Sequence, residues 1–193
     1  MNRSDAELFT LRVDGAHAVS GLLSAPPHPR ACYVLAHGAG AGMFHPFMEA
    51  VATELAQRAI ATLRYQFPFM EQGAKRPDPP KLAHATVRAA VAEAGRILPA
   101  VALVAGGKSF GGRMTSPAQA ASALPGVRGL AFFGLSAASG WAAIRRARRA
   151  SSQDRGADAF SARDTRQARG SRAAPASDTA SWRPRIVAAL PKR

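Results

Sequence analysis

A doubly wound α/β sheet is the fold class this sequence predicts, and three features predict it. Over residues 1–135 short apolar runs alternate with segments of helical period. Two of the runs, Cys32–Ala36 and Val101–Ala105, lead into glycine-rich turns that are followed by helical patterns, as parallel strands of such a sheet do. After Leu135 the alternation stops, so the sheet is expected to be incomplete, with a disordered tail over 136–193.

Taken in order, Leu8–Val13 and Ala18–Leu23 flank Asp14-Gly15 and predict an antiparallel hairpin. Cys32–Ala36 is a short buried strand that runs into His37-Gly38-Ala39-Gly40-Ala41-Gly42. Pro46 then opens a helix to about Arg58, with Phe47, Val51 and Leu55 on one side. Ile60–Tyr65 is the next strand, and the Tyr65, Phe67, Phe69 alternation after it reads as a lining or packing element. A proline-rich loop, Pro77-Asp78-Pro79-Pro80, precedes a helix from about Lys81 to Leu98 that carries Leu82, Val87, Val91 and Ile97. The strand Val101–Ala105, a small-residue helix to about Ala123 and a strand Val127–Leu135 complete the pattern. The last strand is expected to be an unpaired hydrophobic edge.

With 193 residues and 47% hydrophobic content the chain suffices for one globular domain. Its one cysteine, Cys32, excludes an internal disulfide and a cysteine metal cluster. No apolar stretch is long enough to span a bilayer, and Met1–Glu7 lacks the apolar segment of a signal peptide, so a cytoplasmic protein is expected. The net charge of +14 would suggest a nucleic-acid partner if it were spread over the fold, but it is not. Residues 1–135 hold 13 Lys/Arg against 8 Asp/Glu, whereas the last 58 residues hold 13 against 4. Arg145-Arg146 and Arg148-Arg149 lie in that tail without any nucleic-acid motif, and no specific nucleic-acid partner is expected.

The chemistry centres on Gly107-Lys108-Ser109-Phe110-Gly111, which follows an apolar strand directly. Gly-x-Ser-x-Gly in that position marks a nucleophile elbow, a strained strand-to-helix turn where small residues on both sides of the serine let the backbone fold tightly. The oxyanion donors expected of it are the Phe110 backbone N–H and an amide of the loop containing Gly38 and Ala39. Residues 102–109 also fit a loose phosphate-binding loop, against which stand the strand-like Leu103 and Val104. Lys108, Arg113 and Arg64 form either a cationic rim that selects acidic substrates or ordinary surface charge. All five histidines, His17, His28, His37, His45 and His84, precede Ser109, so none can be the base in the Ser, acid, His order this turn implies. His37 reads as a loop-organising residue.

Four motifs carry a family resemblance: Leu35–Met48, Arg64–Glu71 with Pro77-Asp78, Gly106–Met114, and Gly129–Gly134. Together, and in this order, they resemble the α/β-hydrolases typified by testis-expressed protein 30 and non-specific-lethal subunit 3, relatives of the dienelactone hydrolases. The resemblance covers residues 18–135. It implies a serine hydrolase for an ester or similar acyl bond, with Ser109 as nucleophile, a small-molecule ester-type substrate, and no metal or cofactor. Part of that group works in protein complexes, so a noncatalytic interaction module is the alternative. Glu71 and Asp78 resemble the family motif without an assigned role.

Beyond Gly134 the family pattern continues as Phe-Pro-Leu-His-Pro-Ala-Gly-Arg-Pro and later as Pro-Met-Leu-Phe-Leu-Gln-Gly-Thr-Arg-Asp, and neither occurs here. Both can be spelled by the neighbouring reading frame of codons for Leu135–Ile144 and Ala157–Ala168. The expectation is therefore a frameshift near the Gly134 codon, one base gained or two lost. The family's acid would be encoded across Arg166 and Gln167, Asp164 is not that acid, and the segment that should hold the histidine is replaced. A hydrolase-like domain over 1–135, a frameshifted basic tail over 136–193 and an inactive chain are the expected outcome.

Overall fold

The computed structural model describes residues 6–134, and the expected tail over 136–193, with Leu135, lies outside them. Six strands, β1 (Glu7–Arg12), β2 (Ala18–Ser24), β3 (Ala31–Ala36), β4 (Ile60–Tyr65), β5 (Ala102–Lys108) and β6 (Val127–Phe133), form one sheet. Its order is β1-β2-β4-β3-β5-β6. The expected hairpin pairs β1 with β2 antiparallel, β2 pairs antiparallel with β4, and β3, β4, β5 and β6 run parallel. Asp14 builds the hairpin turn by accepting the Ala16 and His17 amides at 2.8 Å.

Side chains alternate along each strand, and the two faces bury different helices. Val34, Leu63, Tyr65, Leu103 and Ala105 share a core with Ala83, Val87, Ala90, Val91 and Ala94 of α3 (Pro80–Ile97) and Ala118 of α4 (Phe110–Ala121). Tyr33 and Leu35 point the other way, onto Met48, Phe47 and Val51 of α1 (Pro46–Ala56). Half of the buried stripe of α3 is thus alanine, and Leu82 is only half-buried. Small side chains let α3 and α4 lie close to the sheet, where bulkier ones would hold them off.

Two elements differ from the sequence expectation. The segment Pro68–Glu71 is a short helix, α2, started by proline at its first position, where no N–H is required. β5 runs on through Gly106 and Gly107 to Lys108, since both glycines sit in register between β3 and β6. Strand propensity is blind to glycines that serve close strand packing. Among the described residues β6 pairs with β5 alone and is the outer strand on that side.

Chain order places the site. From β3 the chain passes through α1 to β4 on one side, and from β4 through α3 to β5 on the other side of β3. The carboxyl ends of β3 and β5 are therefore adjacent at the point where the winding reverses, which is where open α/β sheets bind ligands. His37 follows the first and Ser109 the second.

Candidate functional site

Ser109 occupies φ 46°, ψ −104°, a left-handed backbone that a non-glycine residue adopts only when its surroundings impose it. Such a residue costs about 1–3 kcal/mol. Three backbone bonds impose it. Ser109 N–H donates to the Phe133 carbonyl at 3.0 Å, the Ser109 carbonyl accepts from Arg113 N–H at 3.0 Å, and Gly111 N–H donates to the His37 carbonyl at 3.1 Å. The serine stands at the N-cap of α4, but its hydroxyl makes no capping bond. It is thereby left for other partners.

Phe110 follows as the first residue of the helix, where an amide has no intrahelical acceptor. Its ring locks the turn from the α3 side, with centroids 5.1 Å from Phe67 and 5.7 Å from Phe69. Gly38 faces the turn, since a β-carbon there would lie 4.0 Å from Ser109 Cβ and 3.7 Å from the Lys108 carbonyl. Ala39, beside it, packs half-buried against the α3-side core. The first amides of a helix, a glycine-rich loop and a hydroxyl thus converge at the carboxyl ends of β3 and β5. Such a set can present N–H donors to charge developing on an oxygen bonded near the serine.

Gly111 has no room for a side chain. A β-carbon would come within 2.5 Å of Ala36 Cβ and 2.7 Å of the His37 carbonyl. Gly111→Ala is expected to push α4 off β3 and to destabilise the chain by about 1–3 kcal/mol, the range for overpacking. Urea unfolding measures it, and an unchanged midpoint would show that the helix has slack.

His37 is fully buried, and both its ring nitrogens are engaged. The Phe67 N–H can only donate, so Nε2 accepts it at 3.0 Å; Nδ1 then carries the proton and donates to the Gly38 carbonyl at 2.7 Å. Burial holds this imidazole below the ordinary histidine range, against bonds to the Gly38 and Ala41 backbone that favour its charged form. The other histidines lie elsewhere. His17 pairs with Asp14, His45 caps α1 by accepting the Phe47 amide, His84 lies on α3, and His28 is exposed. Among the described residues no hydrogen bond joins a histidine to Ser109.

The three basic residues considered for a rim stand in different surroundings. Lys108 holds its ammonium 4.6 Å from the Phe47 ring centroid, on the α1 side, and Arg113 is exposed on α4. Arg64 corrects the rim expectation, because it is only 4% exposed and donates from Nη1 to the Met43 carbonyl at 3.2 Å. Its position on β4 turns it under α1, away from the surface.

Several residues whose roles the sequence left open hold the frame. Glu71 accepts the Ser20 hydroxyl at 2.7 Å and the Ser20 amide at 3.1 Å, fastening α2 to β2. Asp78 accepts the Phe69 amide at 3.1 Å, placing a carboxylate at the start of α2, while burial raises its pKa. Gln66 accepts the Met43 amide, a role for which the only sequence signal was a polar residue set between Tyr65 and Phe67. An open groove of about 690 Å³ lies between Phe69, Arg76, Asp78 and Pro80, and shares only Phe69 with the aromatic packing behind the elbow. Among the described residues no helix is long and apolar enough to cross a membrane, and no three side chains form a metal cluster.

A mixed sheet whose strands β3 to β6 run parallel, with α-helices on both faces and a strained serine between β5 and the next helix, defines the α/β-hydrolase class. A family model described as alpha/beta hydrolase domain matches residues 29–140, more than half of the chain, and the chain belongs to that family. No curated protein matches it. Solved structures share the fold. A dienelactone hydrolase from Anabaena variabilis superposes with TM-score 0.60 at 20% identity, covering 68% of this chain and 63% of its own. A highly thermostable carboxyl esterase from Bacillus coagulans gives 0.55 at 14%, covering 66% and 43%. An α/β serine hydrolase without lid from Xanthomonas campestris gives 0.51 at 19%, covering 63% and 58%. The chain thus spans less than two thirds of the length of each of these structures.

Proposed function

We propose that Ser109 is the nucleophile of an esterase-type site for small acyl compounds, with the amides of Phe110 and of Gly38 or Ala39 as oxyanion donors. The observation that carries the reading is the left-handed backbone of Ser109 together with a hydroxyl that caps nothing. Strain of this kind persists where the surrounding structure over-determines it, typically at a reacting group. Dienelactone hydrolase and carboxyl esterase among the fold neighbours support an ester substrate. The testis-expressed protein 30 and non-specific-lethal subunit 3 group is the subfamily the motifs favour.

In this reading the chain is arrested. A serine needs a base to become a nucleophile, and the frame change proposed after Gly134 removes both the acid and the histidine of the triad. The engagement of both His37 nitrogens favours a second reading, a noncatalytic α/β-hydrolase-like module for protein interaction. A fluorophosphonate probe separates the two. Because oxyanion donors and binding retain about 10³–10⁴-fold catalysis over water when a triad member is lost, slow labelling of Ser109 is expected, absent in Ser109→Ala. Equal, background-level signals from both chains would overturn the nucleophile and leave the interaction module.

A further inference from the structure

We propose that Gln66, with Arg64 beneath it, is a positioning residue that clamps the peptide of Met43 and so fixes the loop whose amides face Ser109. The inference rests on the reading of Ser109 given above. Met43 closes the glycine-rich loop that begins at His37, and it is fully buried. Its N–H donates to Gln66 Oε1 at 3.0 Å, and its carbonyl accepts from Arg64 Nη1 at 3.2 Å. One peptide position is therefore gripped from both sides by two residues at the carboxyl end of one strand. The Gln66 amide group also packs on Gly42, where a β-carbon would meet it at 2.8 Å.

The clamp is itself anchored. Gln66 N–H donates to the Ser20 carbonyl at 2.9 Å, tying the segment after β4 to β2, and Ser20 is held in turn by Glu71. One residue further, the Phe67 N–H reaches His37 Nε2 at the opposite end of the loop. Gln66 and Phe67 thus fix the two ends of the 37–43 loop, and Arg64 does so from inside the core. Arg64 Nε is buried without a partner, so the guanidinium sits there at the cost of an unmet donor. A loop held in this way presents its amides without reorganisation when an oxyanion forms, and that is where such donors gain their effect.

The test is binding of phenylboronic acid to the full chain, followed by boron-11 NMR. The Ser109 oxygen forms a bond to trigonal boron, its proton passes to buffer, and the resulting tetrahedral boronate carries the negative charge that the loop amides receive. Gln66→Leu is expected to weaken this binding about ten-fold, the effect of one well-aligned hydrogen bond. The unfolding midpoint should stay within a few degrees, since Gln66 is only half-buried. Gln66→Glu keeps an acceptor for the Met43 amide and should restore most of the affinity. If the leucine variant fails to fold, Gln66→Met offers nearly the same shape without the acceptor. Unchanged affinity in Leu or Met, or loss in Glu equal to that in Leu, overturns the positioning role while Ser109 stands. No boronate on the parent chain overturns the reading of Ser109 and the role with it.

Discussion

Restoring the family frame after the Gly134 codon, together with a C-terminal segment that carries the family's histidine, is expected to yield a chain that hydrolyses short p-nitrophenyl esters, where the present chain does so at background. The gain expected in kcat is roughly 10⁴–10⁶, the loss that follows removal of triad members in serine hydrolases. The strained turn and the loop amides are built by residues that precede Gly134; the neighbouring frame would add the acid, and the restored C-terminal segment the base that it orients. Three chains decide the matter: the present one, the frame-restored one, and the restored one with Ser109→Ala. Turnover by the second alone supports the proposal. Equal rates in the first two, or full rate in Ser109→Ala, would show that Ser109 is not an activated nucleophile. Sequencing the DNA around the Gly134 codon checks the same proposal independently, and codons that cannot spell the family pattern in either neighbouring frame would sink it.

The sheet was legible because its strands obey local rules. Ile60–Tyr65 and the hairpin around Asp14-Gly15 stand where apolar alternation and turn residues put them. What stayed hidden involves residues whose role depends on distant partners. Arg64 reads in sequence as rim or surface charge because arginine in a strand usually reaches solvent, and only the pairing with β2 and β3 shows that it is enclosed. Glu71 and Asp78 carried a family pattern without a function until Ser20 and Phe69 were seen as their donors, 51 and 9 residues away in sequence. At the elbow, Gly-x-Ser-x-Gly after a strand located the turn, and the backbone angles of Ser109 supply the strain that a motif can only suggest. That every histidine precedes Ser109 was legible by count alone.

Replacing His37 by alanine is expected to destabilise the fold by about 3–5 kcal/mol, the range for truncating a large buried ring. Two losses add up. The ring packs at 5.1 Å from Phe67 and 6.0 Å from Phe69, and its Nε2 is the acceptor of a buried Phe67 amide that would be left unmatched. The same substitution should alter the pH dependence of stability. Burial depresses the folded-state pKa of His37 below the ordinary value of 6.5, so the unfolded chain binds a proton more readily than the folded one. Stability from this group is fully present above about pH 6.5 and is lost as pH falls through the folded pKa. His84, depressed by burial and then by Arg88, acts in the same direction. Urea midpoints between pH 7.5 and pH 5 should therefore fall in the parent and fall less steeply in His37→Ala, with His84 supplying the remaining slope. An undiminished slope would remove His37 as the responsible group, and a loss under about 1 kcal/mol would mean that the Phe67 amide finds another acceptor.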